Sequence, residues 1–228
     1  MRALVIDRPG EARVIEMERP AADPQLATMR VRRIGLCGSD LTTYLGKNPM
    51  VTYPRIPGHE VAATLEHVPA NELGLVAGMN VTLSPYTSCG KCTSCRQGRF
   101  NACRFNETLG VQREGALMDF LSVPVEKIYA APLPLEELAL VEPLTVGCHA
   151  VARGLVTAKD TVAIYGCGGV GLGAVAAAAF RDARVVAIDI DDKKLAIAKN
   201  AGARELINST REDVHAACRR SAAATGRR

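Results

Sequence analysis

Tryptophan is absent from this 228-residue chain, and aromatic residues make up only 4% of it. The 20 glycines and 12 prolines follow no period, which excludes a collagen-like or low-complexity chain. Disorder is excluded as the main state, because 48% of residues are hydrophobic and the 23% that are charged carry both signs. No internal repeat is visible, so a solenoid is not expected. An export signal is lacking too: Met-Arg-Ala-Leu-Val-Ile-Asp-Arg reaches Asp7 before a long apolar core can form. The chain therefore reads as soluble and cytoplasmic.

A basic stripe through the fold is also missing. The formal charge is +4, but Arg219, Arg220, Arg227 and Arg228 lie in the last ten residues, which contain no acid. Without them, 24 basic side chains face 24 acidic ones. That leaves no phosphate track, and no nucleic-acid partner is expected. Residues 162–180 lack charge, yet five glycines within them (Gly166, Gly168, Gly169, Gly171, Gly173) argue against a spanning helix. No membrane partner is expected either.

What the chain does have is cysteine, eight in all. Four of them form Cys89-Gly-Lys-Cys92-Thr-Ser-Cys95-Arg-Gln-Gly-Arg-Phe-Asn-Ala-Cys103. Three thiols on one tight loop, with a fourth returning to close a tetrahedron, suit Zn²⁺ bound by thiolates. Gly90 and Gly98 stand where this loop must turn sharply. A closed four-sulfur site has no open coordination position, so its role is structural. Cys148, Cys167 and Cys218 have no ligand spacing and read as ordinary thiols.

Cys37 has different neighbours. Gly35-Leu-Cys37-Gly-Ser39-Asp40 puts a thiol at the end of an apolar run, just before a turn. Pro57-Gly58-His59-Glu60 is another turn, opening an apolar strand, and Glu142-Pro143 sits at an expected helix start. One Cys, one His and one or two Glu are the mixed donors of a catalytic zinc with an open position. Whether Glu60 or Glu142 completes the set stays open at this level.

A glycine-rich loop follows. Residues 161–165 read as a buried strand, then comes Gly166-Cys-Gly168-Gly169-Val170-Gly171, an Ala-rich helix over 172–180, and a second strand over 185–189 ending in Asp189. This is the full context of a dinucleotide site. Gly166 permits the tight turn, Gly168 lets backbone N–H groups approach a pyrophosphate, and Gly171 allows close helix packing. Asp189 can accept from ribose hydroxyls and would repel a 2′-phosphate, which favours NAD over NADP. Lys193 and Lys194 follow it and counter that preference.

Short apolar runs at 3–6, 28–34, 60–65, 80–83 and 120–123, broken by Gly, Pro and Asn, indicate an antiparallel β domain over 1–134. Pro132-Leu-Pro134 marks its expected end. Linking helices over 135–155 and a βαβ unit over 157–210 are expected next, with a helix over 193–201 and a third strand over 205–208. Residues 211–228 are left as an unassigned basic tail, whose stretch from Cys218 to Arg228 has no apolar periodicity.

Together these motifs resemble the medium-chain dehydrogenase/reductase family, in its zinc-dependent alcohol and polyol branch, which includes sorbitol and threonine dehydrogenases. The resemblance rests on Gly35-Leu-Cys-Gly-Ser-Asp40, Gly58-His-Glu60, the four-cysteine lobe, Glu142-Pro-Leu and the Gly166–Gly171 loop, and runs from residue 1 to about 210. It implies a mixed β and α/β fold: a GroES-like catalytic domain, then a Rossmann domain that is partial here. It implies two zinc ions, a catalytic one on Cys37, His59 and Glu60 or Glu142, and a structural one on Cys89, Cys92, Cys95 and Cys103. NAD would sit on Gly166, Gly168, Gly169, Val170, Gly171, Asp189 and Lys194, and a small-molecule polyol or sugar acid would be oxidised to a ketone. Ser39 matches the residue that takes the alcohol proton. The family's next relay residue, a His, is replaced by Thr42, so water or Thr42 and Tyr44 would have to serve. A full-length member is expected to be a homo-oligomer.

Length is the departure. Family members continue for more than a hundred further residues, and the sequence past 218 resembles nothing in them, which suggests a truncated or frameshifted end. The alternative function is accordingly a non-catalytic zinc-binding fragment lacking the nicotinamide half-site. Zinc-free reductases of the same superfamily are disfavoured by Cys37, His59, Glu60 and the lobe. An RNA-binding zinc module is disfavoured by the charge balance.

Overall fold

The computed structural model describes residues 1–21 and 23–223, the last two by backbone alone. It divides into two compact units, Met1–Glu142 and Pro143–Arg228.

In the first unit, β1 (Arg2–Arg8) and β2 (Glu11–Glu16) make an antiparallel hairpin. β3 (Leu26–Gly35) leads into the short helix α1 (Gly38–Tyr44), and β4 (Glu60–His67) and β5 (Asn80–Leu83) follow. Next come α2 (Thr93–Arg96), β6 (Phe120–Pro124) and β7 (Ile128–Ala130). β3 to β7 form an antiparallel five-stranded sheet in the order β6-β3-β4-β5-β7. Alternation drives it: Ala27 and Met29 are fully buried, while Arg30 and Arg32 are exposed. Val61, Ala63, Leu65, Val81, Leu83, Leu121 and Ile128 complete that core. A bulge between Val31 and Arg33 shifts the β3–β4 register and leaves Gly35 opposite Glu60.

The expected strands all form, and two more appear. β2 reads Glu-Ala-Arg-Val-Ile-Glu and is almost wholly exposed, so it shows no apolar run. Pairing with β1 creates it. β7 has three residues, too few for a pattern.

The linking helices expected over 135–155 form as one helix, without a separate start at Pro143. α3 (Leu135–Arg153) starts where the N–H groups of Glu137 and Leu138 bond the Pro134 carbonyl, and Pro143 lies inside it. Leu138 and Ala139 pack on Ala62 of β4, and that burial fixes the start. Pro143 has no N–H to offer the Ala139 carbonyl. The division between the compact units falls here, between Glu142 and Pro143.

In the second unit, β8 (Thr161–Tyr165), α4 (Gly169–Phe180), β9 (Arg184–Asp189), α5 (Asp192–Asn200) and β10 (Glu205–Asn208) alternate. The strands are parallel in the order β10-β9-β8. β9 is central and covered on both faces, hence its unbroken apolar run. Val185 and Ala187 pack with Val175, Ala178, Leu195 and Ala198 of α4 and α5. Val186 and Ile188 face the other way, onto Ala217, Val214 and Cys218.

Those last residues correct the reading of the tail. Residues 214–223 form α6 (Val214–Ala223), whose Val214, Ala217, Cys218 and Ser221 recur at helical spacing. The stripe begins at Val214, ahead of the stretch from Cys218 in which no periodicity shows. Arg227 and Arg228 lie outside the described residues. Among the described residues no helix is long and apolar enough to cross a membrane; residues 162–180 are β8, a loop and α4.

Candidate metal centres and dinucleotide loop

The Sγ atoms of Cys89, Cys92, Cys95 and Cys103 lie within 4.8 Å of one another. Cys92 caps α2, Cys95 sits inside it, and a short 3₁₀ turn returns Cys103. All four are free thiols rather than disulfides. Backbone N–H groups aim at the sulfurs: Cys92 N is 3.3 Å from Cys89 Sγ, and Cys89 N and Phe105 N are 3.4 and 3.3 Å from Cys103 Sγ. The N–H groups of Cys95 and Arg104 push the Cys92 thiol down to about 6, while burial pushes Cys95 up to about 12. The donor set is all sulfur, convergent and shielded, and it fits a closed tetrahedral cation.

The second cluster is assembled by strand pairing. Because Gly35 of β3 stands opposite Glu60 of β4, the residues just beyond, Cys37 and His59, meet at one end of the sheet. Donor atoms of Cys37, His59 and Glu60 lie within 4.8 Å of one another. Gly35 is required, since a Cβ there would stand 2.0 Å from Glu60 Oε2. Asp40, buried on α1, ties the two turns together: its carboxylate accepts from Cys37 N (2.9 Å) and Gly58 N (3.1 Å). It also stands 3.8 Å from His59 Nδ1.

The Cys37 thiol is held below its ordinary range, chiefly by its hydrogen bond to His59, with Ser39 adding to the effect. Burial opposes a charged His59 ring, but Cys37 and the Asp40 and Glu142 carboxylates outweigh it and shift the ring upward. Burial raises Glu60. His59 Nδ1 is buried without a hydrogen-bond partner. Converging sulfur, imidazole and carboxylate donors, three in all, fit a cation with an open position.

Glu142 is also buried, but it stands outside that set. Its Oε1 accepts from Tyr86 Oη at 2.5 Å. Burial, then this carboxylate, pushes the Tyr86 phenol well above its usual range, so it stays a neutral donor. The sequence reading missed Tyr86; its only signal was a tyrosine three residues ahead of the lobe. Of the relay candidates, Ser39 bonds Cys37. Thr42 Oγ1 donates to the Ser39 carbonyl at 3.0 Å, and Tyr44 Oη donates to the Gly10 carbonyl at 2.8 Å. Tyr44 is thus turned away from the relay that the sequence offered it, by the β1–β2 hairpin packed against α1.

In the second unit, Gly166 adopts φ +86° and Gly168 caps α4. A Cβ on Gly171 would lie 1.7 Å from the Gly166 carbonyl oxygen, so the loop closes only on glycine. Gly168, Gly169 and Val170 are exposed at the α4 N-terminus. Asp189 accepts from Cys167 N (2.6 Å) and Asp191 N (2.9 Å), which hold it below the usual carboxylate range, helped by Lys194.

Residues 23–134 match the family model for the alcohol dehydrogenase GroES-like domain, and residues 169–226 match that for zinc-binding dehydrogenases. The chain belongs to the medium-chain, zinc-dependent alcohol dehydrogenase family. Its first unit is the GroES-like domain of that family, and its second carries Rossmann strands. The second match runs to residue 226, so the family resemblance extends past the expected stop near 210. An L-idonate 5-dehydrogenase of Vitis vinifera is 38% identical over 195 residues, covering 82% of this chain and 53% of the relative. The solved alcohol dehydrogenase TADH from Thermus sp. ATN1 superposes with a TM-score of 0.85 at 30% identity, covering 99% of this chain and 67% of that one. RspB from E. coli CFT073, solved with NADH, gives a TM-score of 0.87 at 30% identity, covering 99% and 66%. Curated relatives also include enzymes named for L-galactonate, sorbitol and galactitol 1-phosphate. The chain spans 53–64% of the length of the curated relatives it matches.

Proposed function

We propose that this chain carries the zinc and adenosine sites of an NAD-dependent dehydrogenase that oxidises a secondary alcohol of a polyol or sugar acid to a ketone. The observation carrying the reading is the convergence of donor atoms of Cys37, His59 and Glu60 within 4.8 Å of one another. When bound, zinc supplies Lewis acidity at the alcohol oxygen and NAD accepts the hydride.

The chain's residues do the rest. Asp40 fixes the Cys37 and His59 turns, so the donors are preorganised. Ser39 takes the hydroxyl proton and releases it to water, since the hydroxyls of Thr42 and Tyr44 donate elsewhere. The α4 N-terminus and the loop N–H groups hold the pyrophosphate, and Lys194 adds positive charge nearby. Asp189 holds the ribose hydroxyls and disfavours a 2′-phosphate. The cysteine lobe holds its unit together through the second zinc. The reading places the protein in the cytoplasm and, in the whole enzyme, in a homo-oligomer.

A second reading draws on the sheet of the second unit, which has three strands among the described residues. Three strands make an adenosine half-site, so the chain would bind zinc and nucleotide without turnover. NADH formation by the zinc-loaded chain, across a panel of polyols and sugar acids, separates the two. Turnover on secondary alcohols supports the dehydrogenase. No turnover with both metals and nucleotide bound overturns it in favour of the fragment.

A further inference from the structure

The end of the parallel sheet that carries Asp189 also carries a polar network. β9 and β10 finish in register, with Asp189 opposite Asn208, and the Ser209 N–H bonds the Asp189 carbonyl at 3.1 Å. The segments leaving the two strands are therefore neighbours. Asn208 is buried, and both ends of its carboxamide are engaged. Its Nδ2 donates to the Ile190 carbonyl at 3.2 Å and to Asp192 Oδ1 at 2.7 Å. Its Oδ1 accepts from Thr210 N at 3.0 Å and Thr210 Oγ1 at 2.7 Å. One amide thus ties the loop after Asp189 to the turn after β10, and it aims the Asp192 carboxylate. The other oxygen of that carboxylate, Oδ2, accepts from the Arg211 guanidinium. Asp191 N bonds Asp189 Oδ1 at 2.9 Å, so Asp189 and the Asp192–Arg211 pair stand at the two ends of one short loop.

Building on the nucleotide reading above, we propose that Asp192 is a specificity-determining residue: aligned by Asn208, it engages Arg211 and withholds that guanidinium from the 2′-phosphate of NADP. A guanidinium beside the ribose would otherwise favour that phosphate, because the two groups form paired charge-assisted hydrogen bonds. With Asp192 in place the cation is occupied, and a 2′-phosphate meets the carboxylates of both Asp189 and Asp192. Preference for NAD is then built by rejection of the competitor as well as by hydrogen bonds to the ribose.

NADH and NADPH differ only in the 2′-phosphate, and calorimetric titration of the whole chain with each gives the ratio of their affinities. Asp192→Asn keeps an oxygen for Asn208 Nδ2 but gives up the charge that holds Arg211. The pair is exposed, so the ratio should shift by about fivefold toward NADPH, the size of an exposed charge contact. Adding Arg211→Ala to Asp192→Asn should cancel that shift. NADH binding by each variant shows that its nucleotide unit is folded. A shift that survives Arg211→Ala comes from lost repulsion or from Lys193 and Lys194, and it overturns the assignment. A parent that binds NADH, with no shift in Asp192→Asn, overturns the assignment and leaves the nucleotide reading standing. A parent that binds neither nucleotide overturns the nucleotide reading and this assignment with it.

Discussion

The two donor clusters of the first unit are built in opposite ways. The lobe gathers four chemically identical donors from 15 consecutive residues, on one short helix and two turns. The Cys37 centre gathers three different donors from two turns that meet only because β3 pairs with β4 in one register. The lobe brings little packing of its own, and on the proposed reading metal would hold it. The Cys37 centre is held by a sheet with an apolar core of its own. Metal removal should therefore unfold the first and merely empty the second.

The largest effect is expected from Cys92→Ser or Cys95→Ser. Structural zinc supplies on the order of 10 kcal/mol to isolated zinc-binding peptides, so loss of one thiolate should collapse the lobe. A thermal melt checked against metal content will show a strongly lowered transition. Cys37→Ala comes next: it should remove one metal equivalent and all turnover while leaving the melt nearly unchanged. A large drop in melting temperature for Cys37→Ala would erase the contrast between the clusters.

Gly35→Ala sharpens the comparison, because its Cβ would collide with Glu60 Oε2. The carboxylate must move or the end of the β3–β4 pair must open, at a cost of about 1–3 kcal/mol. Zinc titration should show weakened binding at the Cys37 centre and unaltered binding at the lobe. Asp40→Asn is milder, since the amide oxygen can still accept one of the two N–H groups. About tenfold weaker metal binding at that centre is expected. The smallest effect lies in the second unit. Asp189→Ser should weaken NAD by about 1 kcal/mol and narrow the gap to NADP, measurable by nucleotide titration.

The same contrast governs what could be read from residues alone. The lobe was legible because its spacing is its geometry. So was the Gly166–Gly171 loop, where strand, glycines, helix and Asp189 follow in order. Cys37, His59 and Glu60 were recognisable as candidate donors, but which of Glu60 and Glu142 stands beside Cys37 and His59 was not. It depends on the Val31–Arg33 bulge and on the absence of a Cβ at Gly35. Tyr86 was invisible, because its partner lies 56 residues away, inside a helix whose continuity through Pro143 was not expected. α3 runs unbroken from Leu135, with Leu138 and Ala139 buried on Ala62 ahead of Pro143. α6 escaped because its apolar stripe is short and embedded in a basic stretch.

The central claim is that one chain holds two metal ions of different kinds, and metal stoichiometry by native mass spectrometry tests it most directly. The expected result is two zinc ions per parent chain and one per Cys37→Ala chain, with the lobe still loaded and folded. A single zinc per parent chain, unchanged by Cys37→Ala, would contradict it.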